Sequence, residues 1–335
     1  MVLPCYLQGM TIDAQPELHP DRNLAMELVR ATEAAAIRAF PFIGKGDKNA
    51  SDGAAVDAMR AFLGTVNFEG LVVIGEGEKD DAPMLFNGEI VGNGNGPKVD
   101  IAVDPIDGTS LTAAGRLNAI SVIAAADRGS MLDASSVFKM NKFVTGAPGV
   151  GVCDIRMSIK ENLTEYSKAS GKPVDELLVA ILDREYNQEV IDQVRSAGAA
   201  TRLLRDGDVA GGIQAARSES RIDMCIGVGG SPEGIVTACG VKALGGMIQG
   251  ILAPREDFEI ERGTQAGLKF DYVYEMNEMV ASDNTFFVAT GVTDGPLVSG
   301  VRKRGEIIHT ESIVIRGLSG TVRKVFAEYQ ASRWI

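Results

Sequence analysis

Between residues 161 and 252 the chain repeats one rhythm four times. Helix-patterned stretches at 161–170, 188–197, 209–216 and 233–244 lead in turn to apolar runs at 177–182, 201–204, 222–227 and 247–252. Strands alternating with helices imply a parallel sheet with helices on its faces. Ligands on such sheets bind beyond the carboxyl ends of the strands. The residues expected there are Asp183, Arg184, Glu185 and Tyr186, then Arg205, Asp206, Gly207 and Asp208, then the glycine-rich run 227–234 with Gly230 and Glu233. That run opens a helix with Pro232 in its first turn, which points free amides at an anion and equally serves a sharp strand-to-helix turn. It matches neither the dinucleotide fingerprint nor a P-loop.

A second constraint is the stretch 99–109, Val-Asp-Ile-Ala-Val-Asp-Pro-Ile-Asp-Gly-Thr. Val99, Ile101 and Val103 alternate with Asp100 and Ala102, which predicts a strand with one buried face. The strand is expected to stop at Asp104, because Pro105 supplies no amide to a ladder. Asp104 and Asp107 then flank a tight turn closed by Gly108. Two carboxylates this close stay ionised together only with cations between them. Hard divalent ions such as Mg2+ or Mn2+ prefer such oxygen ligands. Thr109 adds a hydroxyl and an amide able to face a phosphate or orient a water.

The same logic applies upstream. An apolar strand at 71–74 runs into Gly75, Glu76, Gly77, Glu78, Lys79, Asp80 and Asp81. Two neighbouring strands that both end in acids favour a metal cluster over two solvated tips. The segment 87–97 between them is a Gly/Asn-rich turn of hairpin type.

Around these lie a helix at 21–38 with Asp21 as its N-cap, a polar loop at 44–53, and a helix at 54–63 whose start Asp52 is expected to cap. A strand at 119–126 follows. Residues 136–143 are expected as a further edge of the same sheet, and 146–151 as a hinge between lobes. Strands are expected at 285–290, 306–316 and 321–329, bringing Arg302, Lys303, Arg304, Arg316, Arg323 and Lys324 to the surface. The expected domains are an N-terminal α+β lobe, 21–148, and a C-terminal α/β lobe, 149–335.

A chain of 335 residues buries a substantial core, and a net charge of -12 argues against nucleic acid or an anionic membrane as the main partner. Cys5, Cys153, Cys225 and Cys239 form no CxxC, and Cys225 and Cys239 lie in apolar surroundings as small buried hydrophobes. A reducing cytoplasm fits that usage. His19 and His309 are too isolated for a histidine-centred mechanism. Residues 1–20 lack the basic region and cleavage pattern of a signal peptide and are expected to be a tail or an upstream start.

Taken together, Gly44-x-Gly-Asp-Lys-Asn-x-x-Asp-Gly, Val73-Ile-Gly-Glu-Gly-Glu, Asp104-Pro-Ile-Asp-Gly-Thr, Asp206-Gly-Asp and Gly229-Gly-Ser-Pro-Glu-Gly resemble the class II fructose-1,6-bisphosphatases. These belong to the lithium-sensitive, metal-dependent sugar phosphatases. The resemblance implies a two-lobed α/β/α/β/α sandwich, a homodimer or tetramer, and metal-dependent hydrolysis of the 1-phosphate of fructose 1,6-bisphosphate. It implies metal ligands at Asp52, Glu76, Asp104, Asp107 and Glu233, with Asp107 standing where many relatives carry Glu. It places Lys48, Asp80 and Thr109 at the reaction centre, Thr109 orienting the attacking water. Substrate contacts fall to Asp107, Gly108, Thr109, Lys139, Arg184, Glu185, Tyr186, Asp206, Gly207, Asp208 and Gly230. Two positions depart from the family pattern: Lys139 replaces a Tyr, and Tyr186 replaces a phosphate-binding Arg. A swap in which both face one distal phosphate is the expectation. The alternatives are sedoheptulose 1,7-bisphosphate, an inositol or nucleotide phosphate, or a non-catalytic sugar-phosphate-binding regulator.

Overall fold

The structure, a computed structural model, describes residues 24–76 and 85–334. In chain order these form α1 (Leu24–Ala39), α2 (Lys48–Leu63), β1 (Glu69–Ile74), β2 (Ile90–Val91), β3 (Lys98–Asp107), α3 (Thr109–Ala113), β4 (Ile120–Asp127) and β5 (Lys139–Thr145). There follow α4 (Ile159–Ser170), β6 (Leu178–Leu182), α5 (Gln188–Ser196), β7 (Ala200–Leu204), α6 (Val209–Ala216), β8 (Met224–Gly230), α7 (Ser231–Ala243) and β9 (Met247–Leu252). The chain continues with α8 (Asp257–Gln265), β10 (Tyr274–Glu275), α9 (Met276–Met279), β11 (Phe286–Gly291), β12 (Arg302–Arg304), β13 (Ile307–Arg316), β14 (Thr321–Gln330) and α10 (Ala331–Trp334).

The strands form two sheets. The first runs β12-β13-β11-β4-β3-β1-β2, with β14 paired to β13; the second runs β10-β9-β5-β8-β6-β7. Three apolar layers bind them into a sandwich. Leu28, Ala35 and Met59 of α1 and α2 pack on Ile101, Val103, Ile123 and Val288 of the first sheet. The opposite face of that sheet, through Ala102, Val122, Phe287 and Ile313, meets Ile213, Ile235 and Val241 of α6 and α7. Those two helices also rest on Val144, Ala180 and Ile248 of the second sheet. Leu163, Tyr166, Ile191 and Val194 of α4 and α5 cover its outer face. Each fully buried large aliphatic or aromatic side chain in these layers is worth roughly 1.5–3 kcal/mol. The order is therefore helices, sheet, helices, sheet, helices, the expected α/β/α/β/α arrangement.

Several local expectations are corrected. β3 is buried on both faces, Asp100 included, because Ser130 and Met131 donate backbone N–H groups to its Oδ2 at 2.8 and 3.1 Å. β3 also continues through Pro105 to Asp107, its ladder with β4 breaking only between Asp104 and Asp107. The helix expected at 54 begins at Lys48, with Asp47 as its cap: the Ala50 N–H donates to Asp47 Oδ1 at 2.9 Å. Asp52 is thus inside the helix rather than at its start. β1 and β3 are parallel, so 87–97 is no hairpin between them; it carries β2, antiparallel to β1.

Residues 136–143 do not edge the first sheet. β5 lies inside the second, between β8 and β9 and antiparallel to both. β6, β7 and β8 run parallel as expected, and β9 shares their direction with β5 inserted. The segment 146–151 joins β5 to α4, both attached to the second sheet, so it is not a connection between sheets. The sheets cross the expected 148/149 boundary in both directions, since β5 precedes it and β11–β14 return to the first sheet. Of the basic set, Arg316 is buried rather than exposed, its guanidinium 3.9 Å from the centre of the Phe286 ring. The Asp21 cap and the tail 1–20 lie outside the described residues.

Candidate active site

Parallel pairing of β1 and β3 puts their carboxyl ends at one edge of the sheet. Glu76 follows the first and Asp104 and Asp107 end the second. An antiparallel hairpin would have put the acids at opposite ends. Asp52 reaches the same place from α2, and Glu233 from the first turn of α7, in the helical layer between the sheets. These five acids, with Gly108, Thr109, Asp206 and Gly207, line one cavity of about 250 Å³. Asp80 and the rest of 77–84 lie outside the described residues.

Burial drives the Asp104 carboxyl well above the ordinary range, and the negative charges of Asp107, Glu76, Glu233 and Asp52 add to it. Asp107 is pushed up likewise, by burial and then by Asp208, Glu233 and Asp206. Burial also raises Glu233, against the pull of Lys142. Among the described residues, no three His, Cys, Asp or Glu side chains are drawn together into a formed metal site. Repulsion among buried like charges opposes closer approach. The donors nevertheless fit a hard divalent cation: all are carboxylate oxygens, and Glu233 Oε2 is buried with no hydrogen-bond partner.

The turn after β3 is built by Gly108. Its φ of +99° suits glycine and lets α3 start directly at Thr109. Lys48, first residue of α2, donates to Ser110 Oγ at 2.6 Å, which brings its ammonium to this turn. The Ser110 N–H donates to Asp206 Oδ2 at 3.2 Å, tying the turn to the second sheet.

On that side, Asp206, Gly207 and Asp208 form the loop between β7 and α6. Arg184 fixes the loop, donating to Asp206 Oδ1 at 3.0 Å and to the Arg205 carbonyl at 2.6 Å. Gly207 has φ of +66°, and a Cβ there would lie 2.7 Å from Asp107 Oδ1. Asp107 is therefore shared: it lines the acidic cavity, and its Oδ2 accepts from the Val209 N–H at 3.3 Å. Glu185 and Tyr186 lie in the single turn of 3-10 helix after β6. Lys139 stands opposite Gly230 across the β5–β8 ladder.

Two side chains escaped the sequence reading. Lys142, buried on β5, pairs with Asp208 Oδ2 at 2.6 Å and donates to the Gly230 carbonyl at 3.0 Å. Burial alone would lower its ammonium, but Asp208 and Glu233 hold it above its ordinary value. Its only signal was a lysine inside a strand, between Asn141 and Phe143. Arg255, just after β9, lays its guanidinium 4.0 Å from the centre of the Tyr186 ring. The Ala253 N–H donates to the Lys139 carbonyl at 2.8 Å, so Arg255 leaves the sheet beside Lys139.

A family model described as bacterial fructose-1,6-bisphosphatase, glpX-encoded, matches residues 22–329. A class 2 fructose-1,6-bisphosphatase of Haemophilus influenzae is 42% identical over 318 residues, covering 91% of this chain and 95% of that protein. Fructose-1,6-bisphosphatase 1 class 2 of Escherichia coli K12 is 42% identical over 317 residues, covering 91% and 94%. Among solved structures, an inositol monophosphatase from Anabaena (Nostoc) sp. PCC 7120 matches at a TM-score of 0.30 and 14% identity, over 58% of this chain and 71% of that one.

Proposed function

Since the chain belongs to the bacterial, glpX-encoded fructose-1,6-bisphosphatase family, we propose that it hydrolyses the 1-phosphate of fructose 1,6-bisphosphate, releasing fructose 6-phosphate and inorganic phosphate, with Mg2+ or Mn2+ as cofactor. The observation that carries the reading is the convergence of Asp52, Glu76, Asp104, Asp107 and Glu233, from four separate segments, on one cavity.

Those five carboxylates would hold the metal. Bound divalent ions supply a water of lowered pKa and neutralise charge on the phosphoryl and leaving oxygens. The chain's own work is positioning and charge stabilisation. The Thr109 hydroxyl orients the attacking water. Gly108 lets the backbone come close to the phosphoryl group. Lys48, steered by Ser110, adds positive charge at the turn. Water oxygen bonds to phosphorus as the bond to the sugar oxygen breaks, and a proton given up by the water ends on the leaving sugar oxygen. Asp206 and Asp208 accept from sugar hydroxyls, the first held by Arg184 and the second by Lys142. Lys139, Tyr186 and Arg255 face the distal phosphate, Arg255 supplying the cation that position 186 lacks. Lysine binds phosphate as a point charge and arginine through a fork, so this pocket differs in geometry from one with an arginine at position 186.

The altered distal pocket is the specific reason to weigh a second substrate, sedoheptulose 1,7-bisphosphate. The test is phosphate release from both sugars, an inositol phosphate and a nucleotide, after chelation and after Mg2+ or Mn2+ is restored. Fructose 1,6-bisphosphate turned over only with metal supports the reading. Activity that survives chelation, or none on any bisphosphate, removes it. The family reading also carries a homo-oligomer, which light scattering on the purified chain tests. No helix among the described residues is long and apolar enough to cross a membrane.

A further inference from the structure

A second cavity, of about 460 Å³, opens at the opposite end of the second sheet from the acids. Its walls come from the start of β6, from β7, from the end of α6 with the turn into β8, from Pro296 and Leu297 in the loop between β11 and β12, and from Lys324 of β14. Its charge is unlike that of the molecule as a whole. Four cations, Arg202, Arg217, Arg221 and Lys324, face one acid, Glu219, in a chain of net charge -12.

Two of the four cations are engaged in ion pairs and two are not. Arg217 pairs with Glu219, which is 62% exposed, and Lys324 pairs with Glu311 at 2.9 Å. Arg202 and Arg221 have no carboxylate partner among the described residues. Arg217 also carries a buried Nη1 with no hydrogen-bond partner, and burial lowers its pKa. An orphaned guanidinium N–H costs free energy until an acceptor reaches it. Between the cations lie the apolar atoms of Leu178, Ile222 and Leu297. A cavity of this size with a few convergent charges and an apolar floor is the usual form of a small-molecule site.

We propose that this crevice binds a phosphorylated small molecule, its phosphate held by Arg202, Arg217 and Arg221 and the rest of the ligand lying on the apolar floor. Guanidinium forks match phosphate oxygens, and three of them outbid water where a single surface lysine does not. The site is separate from the reaction centre. It lies beyond the carboxyl end of α6, the helix whose amino end carries Asp208.

The test is isothermal titration of the full, Mg2+-loaded chain with inorganic phosphate. The wild type should bind phosphate at the crevice in addition to the active site, whose metal-side and distal subsites can each take a phosphate. Arg202→Gln/Arg221→Gln alters two exposed residues outside the catalytic machinery; it should keep full phosphatase activity and weaken one site by about tenfold or more, the loss expected for charge-assisted hydrogen bonds. Asp104→Asn should weaken phosphate binding at the reaction centre and leave the crevice site as it is in the wild type. Overturning results are a double variant that binds phosphate as the wild type does, or a single wild-type site that Asp104→Asn abolishes.

Discussion

Lys142→Met isolates the contact that joins the two halves of the active site. The ammonium sits among Asp208, the Gly230 carbonyl and the field of Glu233, and the lysine side chain is only 6% exposed. Methionine keeps nearly the same volume, so the cavity cost is small. What is lost is a buried pair, and removing one partner of such a pair costs about 3–5 kcal/mol because the other charge stays buried. For a chain of this size that is a fall in unfolding midpoint of roughly 4–7 °C. The sign with pH follows from the raised folded-state pKa of Lys142. Its contribution is fully present below the ordinary lysine value and is lost only as pH rises through the folded one, so the deficit should persist across the neutral range. Thermal unfolding followed by circular dichroism measures it, with and without chelator. Freed from Lys142, Asp208 no longer holds a fixed position against the sugar, and KM for fructose 1,6-bisphosphate should rise by about tenfold, one weakened charge-assisted hydrogen bond. A variant that melts with the wild type, or whose KM is unchanged, refutes the reasoning.

Further outcomes follow from the same site. Asp104 and Asp107 have folded-state pKa values raised by burial and by neighbouring acids, so their penalty is absent at low pH and grows as pH rises through those values. Adding Mn2+ to chelated protein should therefore raise the unfolding midpoint more at neutral pH than near pH 5; an equal or reversed effect counts against a metal role for these carboxylates. Lys139→Met and Arg255→Met should each raise KM for fructose 1,6-bisphosphate about tenfold with little change in kcat, the mark of binding shared by ground and transition states. If kcat falls instead and KM stays, neither faces a distal phosphate. Arg184→Met removes two donors from the 206–208 loop and should raise KM through Asp206, with phosphate release as the readout.

Much of this was legible in the chain because the signals were local. The alternation of helix and strand gave α6 as 209–216 and β9 as 247–252, matching the observed Val209–Ala216 and Met247–Leu252. What failed depended on partners far away. β5 looked like an edge of the first sheet, since nothing in 136–143 reports that β8 and β9 will flank it. Lys142 drew no reading of its own, because its partner Asp208 lies on a distant strand-to-helix turn. Arg255 carried no motif at all. The helix was expected to start at Asp52, but Asp47 takes the cap one turn earlier, leaving Asp52 for the cavity. The acids were legible as a set, but only the parallel register of β1 and β3 explains why they meet.

The most direct measurement is an anomalous difference map from a crystal soaked in MnCl2. Manganese peaks are expected within coordination distance of Asp104, Asp107 and Glu233, with Asp52 and Glu76 completing the shell. A well-ordered crystal with no manganese among these carboxylates, or with manganese held elsewhere while turnover continues, would contradict it.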